Sequence, residues 1–455
     1  MTAAFGALAV VSLGLMVFGI ARAVSDDPLP VAGEGGQAIE ITQDDMSSLL
    51  KGHSEALTGG DKDAYLAPFK GSSAQLKAKQ SSLFSNLRKV PFSVSEYQFL
   101  KIDGRAVDHY GAGASASVDV AFVHQVKGAD AGPVAEWYRW TVEKKTKDAD
   151  PQVTAVGPAT PELAGFGEMT NYPAPWDAYD EMAVTVKPHT VILSDAAQAA
   201  DARRYAPYIE KAAQDNLATW KAKGPKSGRT MPGFVVTLEK NRKVYKQMYR
   251  QGTRDEGDES IAEAGVSIQM PAVSAGGNQA KVDMENGGAR IVMDTAESRF
   301  TRPDYAAGVL EISHHELAHT LVEPLTGPDG QAQLWVVEGF AEYMAMRDDP
   351  KAAARELRGL KAYYGGRFVD PFDGKLPTSD NFHSTIDEEN SAHYSLGWLG
   401  IRFIAEKYGE DKALAFVAEQ YKTPKGMDAQ LRKATGMGMN EFQDAWADYV
   451  RKQIS

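Results

Sequence analysis

The hydrophobic period of this chain changes twice, and that succession restricts the possible folds more than any other feature of the sequence. From Thr42 onward, Met46, Leu49, Leu50, Ala56 and Leu57 recur at helical spacing. Between residues 114 and 142 the period falls to two. Val118, Val120 and Phe122 alternate with small or polar residues, as do Tyr138, Trp140 and Val142. After Pro303 the helical period returns, with helices expected at roughly 304–321, 332–347, 392–408, 411–421 and 439–453. The succession describes an α+β protein: helices and a curved antiparallel sheet first, then a small mixed sheet followed by a C-terminal helical bundle.

Local signals divide the chain further. Thr42-Gln43-Asp44-Asp45 is a capping-box-like start, Gly59-Gly60 ends that helix, Asp61 caps a short second one, and a third runs from about Ser73 to Leu87. Pro158, Pro161, Pro173 and Pro175 mark residues 158–180 as a linker or docking segment between units at 39–157 and 181–455. In the second unit the pattern gives a strand over 183–193, a long helix capped by Ser194 and reaching Lys223, and a strand over 234–238. Residues 250–288, polar and Gly-rich, read as a long loop, and 289–294 as a short strand whose edge can take up an added substrate strand.

Composition narrows the function. The 455 residues suffice for two or three full-sized domains, and the net charge of −12 with no long basic run argues against a nucleic-acid partner. With no cysteine, disulfides, Cys-ligated zinc and a thiol nucleophile are all excluded. Residues 3–21 are uncharged and almost wholly apolar, and Ala21-Arg22-Ala23 follows. Residues 1–24 therefore read as a signal peptide or membrane anchor and 25–38 as a tether. The expectation is a protein anchored in the cell membrane with its folded part outside the cytoplasm, or secreted.

The chemistry lies in His315-Glu316-Leu317-Ala318-His319. Residues i and i+4 share a helical face, so both imidazoles can reach one cation, with Glu316 beside them. Eighteen residues separate His319 from Glu338, which offers a third ligand in Trp335-Val336-Val337-Glu338-Gly339-Phe340-Ala341-Glu342. Three protein ligands suit a zinc ion with one open position. His314 falls off that face by about 100° per residue and reads as a supporting residue.

This pattern, HExxH, eighteen residues, then Glu in W-x-x-E-G-F-A, resembles the gluzincin zinc metallopeptidases of the M1-like and peptidase MA-like group. The resemblance implies one Zn²⁺ per chain held by His315, His319 and Glu338, with Glu316 as general base and a peptide or protein substrate. Glu342 stands where an acid in this fold orients a ligand histidine. In Ser391-Ala392-His393-Tyr394, Tyr394 stands where M1-like enzymes place an oxyanion-binding tyrosine, with His393 as the alternative. Met284-Glu285-Asn286 is similar to part of the aminopeptidase signature that recognises a free amino group. The element order of 42–157, with Glu55-Ala56-Leu57-Thr58-Gly59-Gly60-Asp61, resembles NTF2-like (SnoaL-like) cones, whose pocket would be lined by His53, His109, His124 and Tyr138. The competing reading is a non-catalytic exported binding or regulatory protein with a structural zinc on the same scaffold.

Overall fold

Thr42 starts the first helix by reciprocal capping. Its hydroxyl accepts from the Asp45 N–H at 3.0 Å and its own N–H donates to the Asp45 carboxylate at 2.9 Å. This computed structural model describes residues 38–103, 106–109, 112–163, 167–249, 264–327, 330–366, 369–384 and 386–455. The apolar segment and most of the tether therefore lie outside the described residues, among which no helix is long and apolar enough to cross a membrane. Helix α1 (Gln43–Gly59) ends where Gly60 adopts φ +79°, a conformation that costs a residue without Cβ little. Asp61 caps α2 (Lys62–Leu66) and Ser73 caps α3 (Ala74–Leu87). These helices accompany an antiparallel sheet of β1 (Phe92–Asp103), β2 (Ala114–Val126), β3 (Val134–Lys144) and β4 (Gln152–Pro158), in that order. The α+β class stands as expected.

The second sheet contains more than its sequence announced. Its order is β8-β9-β7-β6-β5, comprising β5 (Met182–Val186), β6 (Thr190–Asp195), β7 (Phe234–Glu239), β8 (Gly265–Val273) and β9 (Val282–Asp294). Strands β6, β7 and β9 are parallel, and β5 and β8 run antiparallel at the two edges. The expected single strand over 183–193 is the hairpin β5–β6, turned at Lys187, whose N–H donates to the Thr190 carbonyl. Ser194 belongs to β6. The cap of the following turn is Asp195, and helix α5 spans Ala199–Lys223.

The expected loop 250–288 is also corrected: 265–273 and 282–288 form most of a hairpin, while 250–263 lie outside the described residues. Residues 289–294 consequently occupy an inner strand, and β8 forms the edge in their place. Burial alternates over the middle of β8, where Ile268 and Met270 are buried while Ser267 and Gln269 line the cleft described below.

The core of the first unit continues into the second, whose helices also pack on a separate cluster around Leu317, Phe340 and Leu399. Met46, Phe122 and Trp140 share one apolar cluster with Trp176, Leu193, Val235 and Val292. The end of the expected linker is docked along this seam: Trp176 lies in α4 (Pro175–Ala178), and Asn86 donates to the carbonyls of Trp176 and Tyr179 at 3.3 and 2.9 Å. The tip of the β8–β9 hairpin reaches the edge of β1, with Phe99 N–H donating to the Asn278 carbonyl and Ala280 N–H to the Phe99 carbonyl. Beneath it Arg290, wholly buried on β9, pairs with Asp130 at 2.6 and 3.0 Å and donates to His124 Nε2 at 2.9 Å.

After β9 the chain is helical: α6 (Ser298–Thr301), α7 (Tyr305–Val322), α8 (Leu334–Met346), α9 (Pro350–Tyr364), α10 (Asp387–Tyr408), α11 (Glu410–Lys422), α12 (Met427–Thr435) and α13 (Met439–Ile454). The sequence reading missed α9 and α12. Helices α8 and α10 meet backbone to backbone at Gly339 and Gly397, where a Cβ on Gly339 would lie 2.3 Å from the Gly397 carbonyl oxygen. No side chain fits there. The contact brings α10 against the helix that carries Glu338.

Candidate metal centre

Three ligand atoms converge between α7 and α8. His315 Nε2 and His319 Nε2 are 3.1 Å apart, and Glu338 Oε2 lies 3.4 and 3.3 Å from them respectively. Ligands at about 2.0–2.1 Å from a tetrahedral zinc stand roughly 3.3 Å from one another, so the spacing fits that ion. His315 also contacts Glu342, one turn beyond Glu338, so the two helices run antiparallel past the site. The Glu342 carboxylate sits 3.1 Å from His315 Nδ1, fixing the ring so that Nε2 faces the cluster.

The electrostatics favour a cation. Burial alone would lower the pKa of His315, but hydrogen bonds to Glu338 and Glu342 raise it well above the ordinary imidazole value. Burial would raise that of Glu338, yet both histidines hold its carboxyl below the usual carboxylate range. The cluster thus gathers positive charge even from protons, which a divalent ion would replace.

The cleft over these atoms has a volume of about 740 Å³ and is walled by β8, α7, α8 and the start of α10. Glu316 lines it and is 4% exposed. Strand β8 passes it at Gly265, where a Cβ would come within 2.7 Å of the carboxylate carbon and one of its oxygens. Only glycine leaves that side chain its place. Tyr394 also lines the cleft, its ring stacked over that of His315 with centroids 6.2 Å apart.

Several expected residues lie elsewhere. His393 is not in the cleft lining, and its Nδ1 bonds to the Phe382 carbonyl at 2.8 Å. A rotation of about 100° per residue separates it from Tyr394. His314 supports from outside as expected, its ring bonded to Asn216 Oδ1 at 2.8 Å and its pKa lowered to about 4 by burial. Met284-Glu285-Asn286 does not present an amine-binding carboxylate to the cleft. Glu285 is 75% exposed and faces Arg229, and buried Asn286 donates to the Glu323 carbonyl.

The first unit's candidates do not meet in one pocket. His53 is stacked in the core on Tyr65, with burial lowering its pKa to about 3, and His109 is exposed. His124 belongs to the buried Arg290 cluster, and Tyr138 donates to Asp177 at 2.9 Å.

The sequence reading missed His383, Glu356 and Tyr421, which also line the cleft. Burial first, and Glu342 second, push the Glu356 carboxyl up to about 7. The Tyr421 hydroxyl is buried without a hydrogen-bond partner among the described residues. None of the three has a sequence signal, because each reaches the cleft from an element whose position depends on tertiary packing. Comparison with protein-family models and with curated proteins gives no match for this chain.

Proposed function

We propose that this chain is a zinc-dependent peptidase of gluzincin type, anchored or secreted through its apolar segment at 3–21. The observation that carries the reading is the triangle of His315 Nε2, His319 Nε2 and Glu338 Oε2 at 3.1–3.4 Å, open to a cleft that Glu316 lines. A structural zinc is closed by four protein ligands, whereas this cluster offers three among the described residues. The cleft wall supports a peptide as substrate. Among the described residues, edge strand β8 has a strand neighbour on one side only, so an extended chain can add along it by backbone hydrogen bonds.

Zinc, when bound, supplies a Lewis acid that polarises a carbonyl and brings the pKa of water towards about 7. Glu316 takes a proton from the attacking water as its oxygen bonds to the peptide carbonyl carbon. Tyr394 donates to the carbonyl oxygen as negative charge develops there. When the C–N bond breaks, Glu316 passes its proton to the leaving amine nitrogen. Glu342 keeps His315 oriented throughout. The first unit, with its resemblance to NTF2-like cones, holds the cleft wall through the β8–β9 tip.

A chelator should abolish hydrolysis of a mixed fluorogenic peptide library by the full chain, and added zinc should restore it. Hydrolysis that survives complete metal removal would sink the proposal. Gly265→Ala is expected to lower kcat on the order of 100-fold, the scale of a misplacement near 1 Å, while zinc content stays at the wild-type level. Steady-state kinetics with metal analysis checks this. Unchanged kcat would show that the Glu316 carboxylate does not depend on the space at residue 265.

A further inference from the structure

We infer that the cleft selects a carboxylate on the C-terminal side of the scissile bond, received by Arg299 and Arg302. The inference rests on the peptidase reading and adds direction and charge to it. Strand β8 runs beside α7 in the same direction. Gly265 faces Glu316, Ser267 Oγ lies 2.7 Å from Thr320 Oγ1, and Gln269 hydrogen-bonds Glu323. At the Gly265 end Asp294 N–H donates to the Ala264 carbonyl, β9 stops, and the chain turns directly into α6. That turn sets Arg299 and Arg302 into the cleft lining at this end, while Glu323 and Thr326 line the other.

The two ends therefore differ in charge. A peptide pairing antiparallel to β8, the more stable arrangement per residue, runs from the Glu323 end to the Arg299 end. Its C-terminal residues then meet guanidinium groups. Its N-terminal residues meet the Glu323 carboxyl, which lines the cleft at that end. A peptide laid the other way would set its amino end among the arginines.

Both arginines are available. Arg299 is 3.5 Å from Glu297 and Arg302 is 3.7 Å from Asp304, each within the same short stretch of chain, with side chains 35% and 53% exposed. The Arg302–Asp304 pair is exposed and contributes little, and Arg299 keeps a third of its side chain open beside the half-buried Glu297, so a bidentate carboxylate can engage both guanidinium groups. The third arginine at this end, Arg355, is closed in a tight pair with Glu311 and is not assigned this role.

An aspartate or glutamate side chain and a free C-terminus offer the same group, and the test separates them. Quenched-fluorescent peptides would carry Glu, Gln or Lys at successive positions after the cleaved bond, each made with a free and an amidated C-terminus. Zinc-loaded wild type should cleave a Glu peptide about tenfold or more better in kcat/KM than its Gln counterpart. If the natural group is a terminus, the same gain should follow the free carboxylate instead. In Arg299→Gln/Arg302→Gln the ratio should fall towards one. A wild-type ratio near one, or a preference for Lys, overturns this inference alone, whereas no Glu316-dependent cleavage of any peptide removes the peptidase reading with it.

Discussion

Replacing Glu316 with Gln should lower turnover by about 10²- to 10⁴-fold while the protein keeps its fold and its zinc. Glu316 contributes none of the three clustered ligand atoms, so its loss should leave metal affinity in place. Gln fills the same volume against Gly265, where the fit is tight. What disappears is a carboxylate able to accept the water's proton and return it to the amine. Stopped assays on matched, zinc-loaded samples would check this. Equal rates for the variant and wild type would assign the proton transfer to another group or deny it altogether.

The second large effect lies far from the cleft. Arg290→Met is expected to destabilise the protein by about 3–5 kcal/mol, because it leaves the Asp130 carboxylate buried without its cation. Arg290 is wholly buried and Asp130 is 3% exposed. His124 cannot replace the lost charge. Its Nδ1 faces the Phe122 carbonyl and Glu136 at 3.2 Å, and burial, the largest cause and one that the substitution leaves in place, holds its pKa well below the usual value.

Because this group bridges β9 and the first sheet, and the apolar cluster is shared, both units should unfold in a single denaturant transition. Arg290→Met/Asp130→Asn should recover much of the loss, since neither partner is then left charged and alone. Two separate transitions, or a loss under about 1 kcal/mol, would contradict the shared-core account.

The legibility of this protein followed the range of the forces involved. Caps act within three residues, so Thr42, Asp61 and Ser73 announced their helices correctly. The gathering of His315, His319 and Glu338 was legible for a related reason: an i,i+4 pair lies on one helical face, and a short connection returns the next helix beside it. Strand β8 was hidden because its cleft face is Gly265, Ser267 and Gln269, which read as loop residues unless the neighbouring cleft is known. Helix α9 buries only Ala352 and Leu360, too sparse a stripe to find, although Asp349-Pro350 is a usable start signal. Tyr394 and His393 are adjacent on α10, and which of them faces His315 depends on how α10 packs on α8, where Gly397 meets Gly339.

The account stands or falls first on the metal. Zinc per chain should be measured on the purified full-length protein and on His319→Ala, both supplied with zinc and then freed of loosely bound ion. The expected result is about one zinc per chain in the wild type and close to none in the variant, in keeping with a single three-ligand site. A folded wild type that retains no zinc, or a His319→Ala protein that retains as much as the wild type, would contradict it.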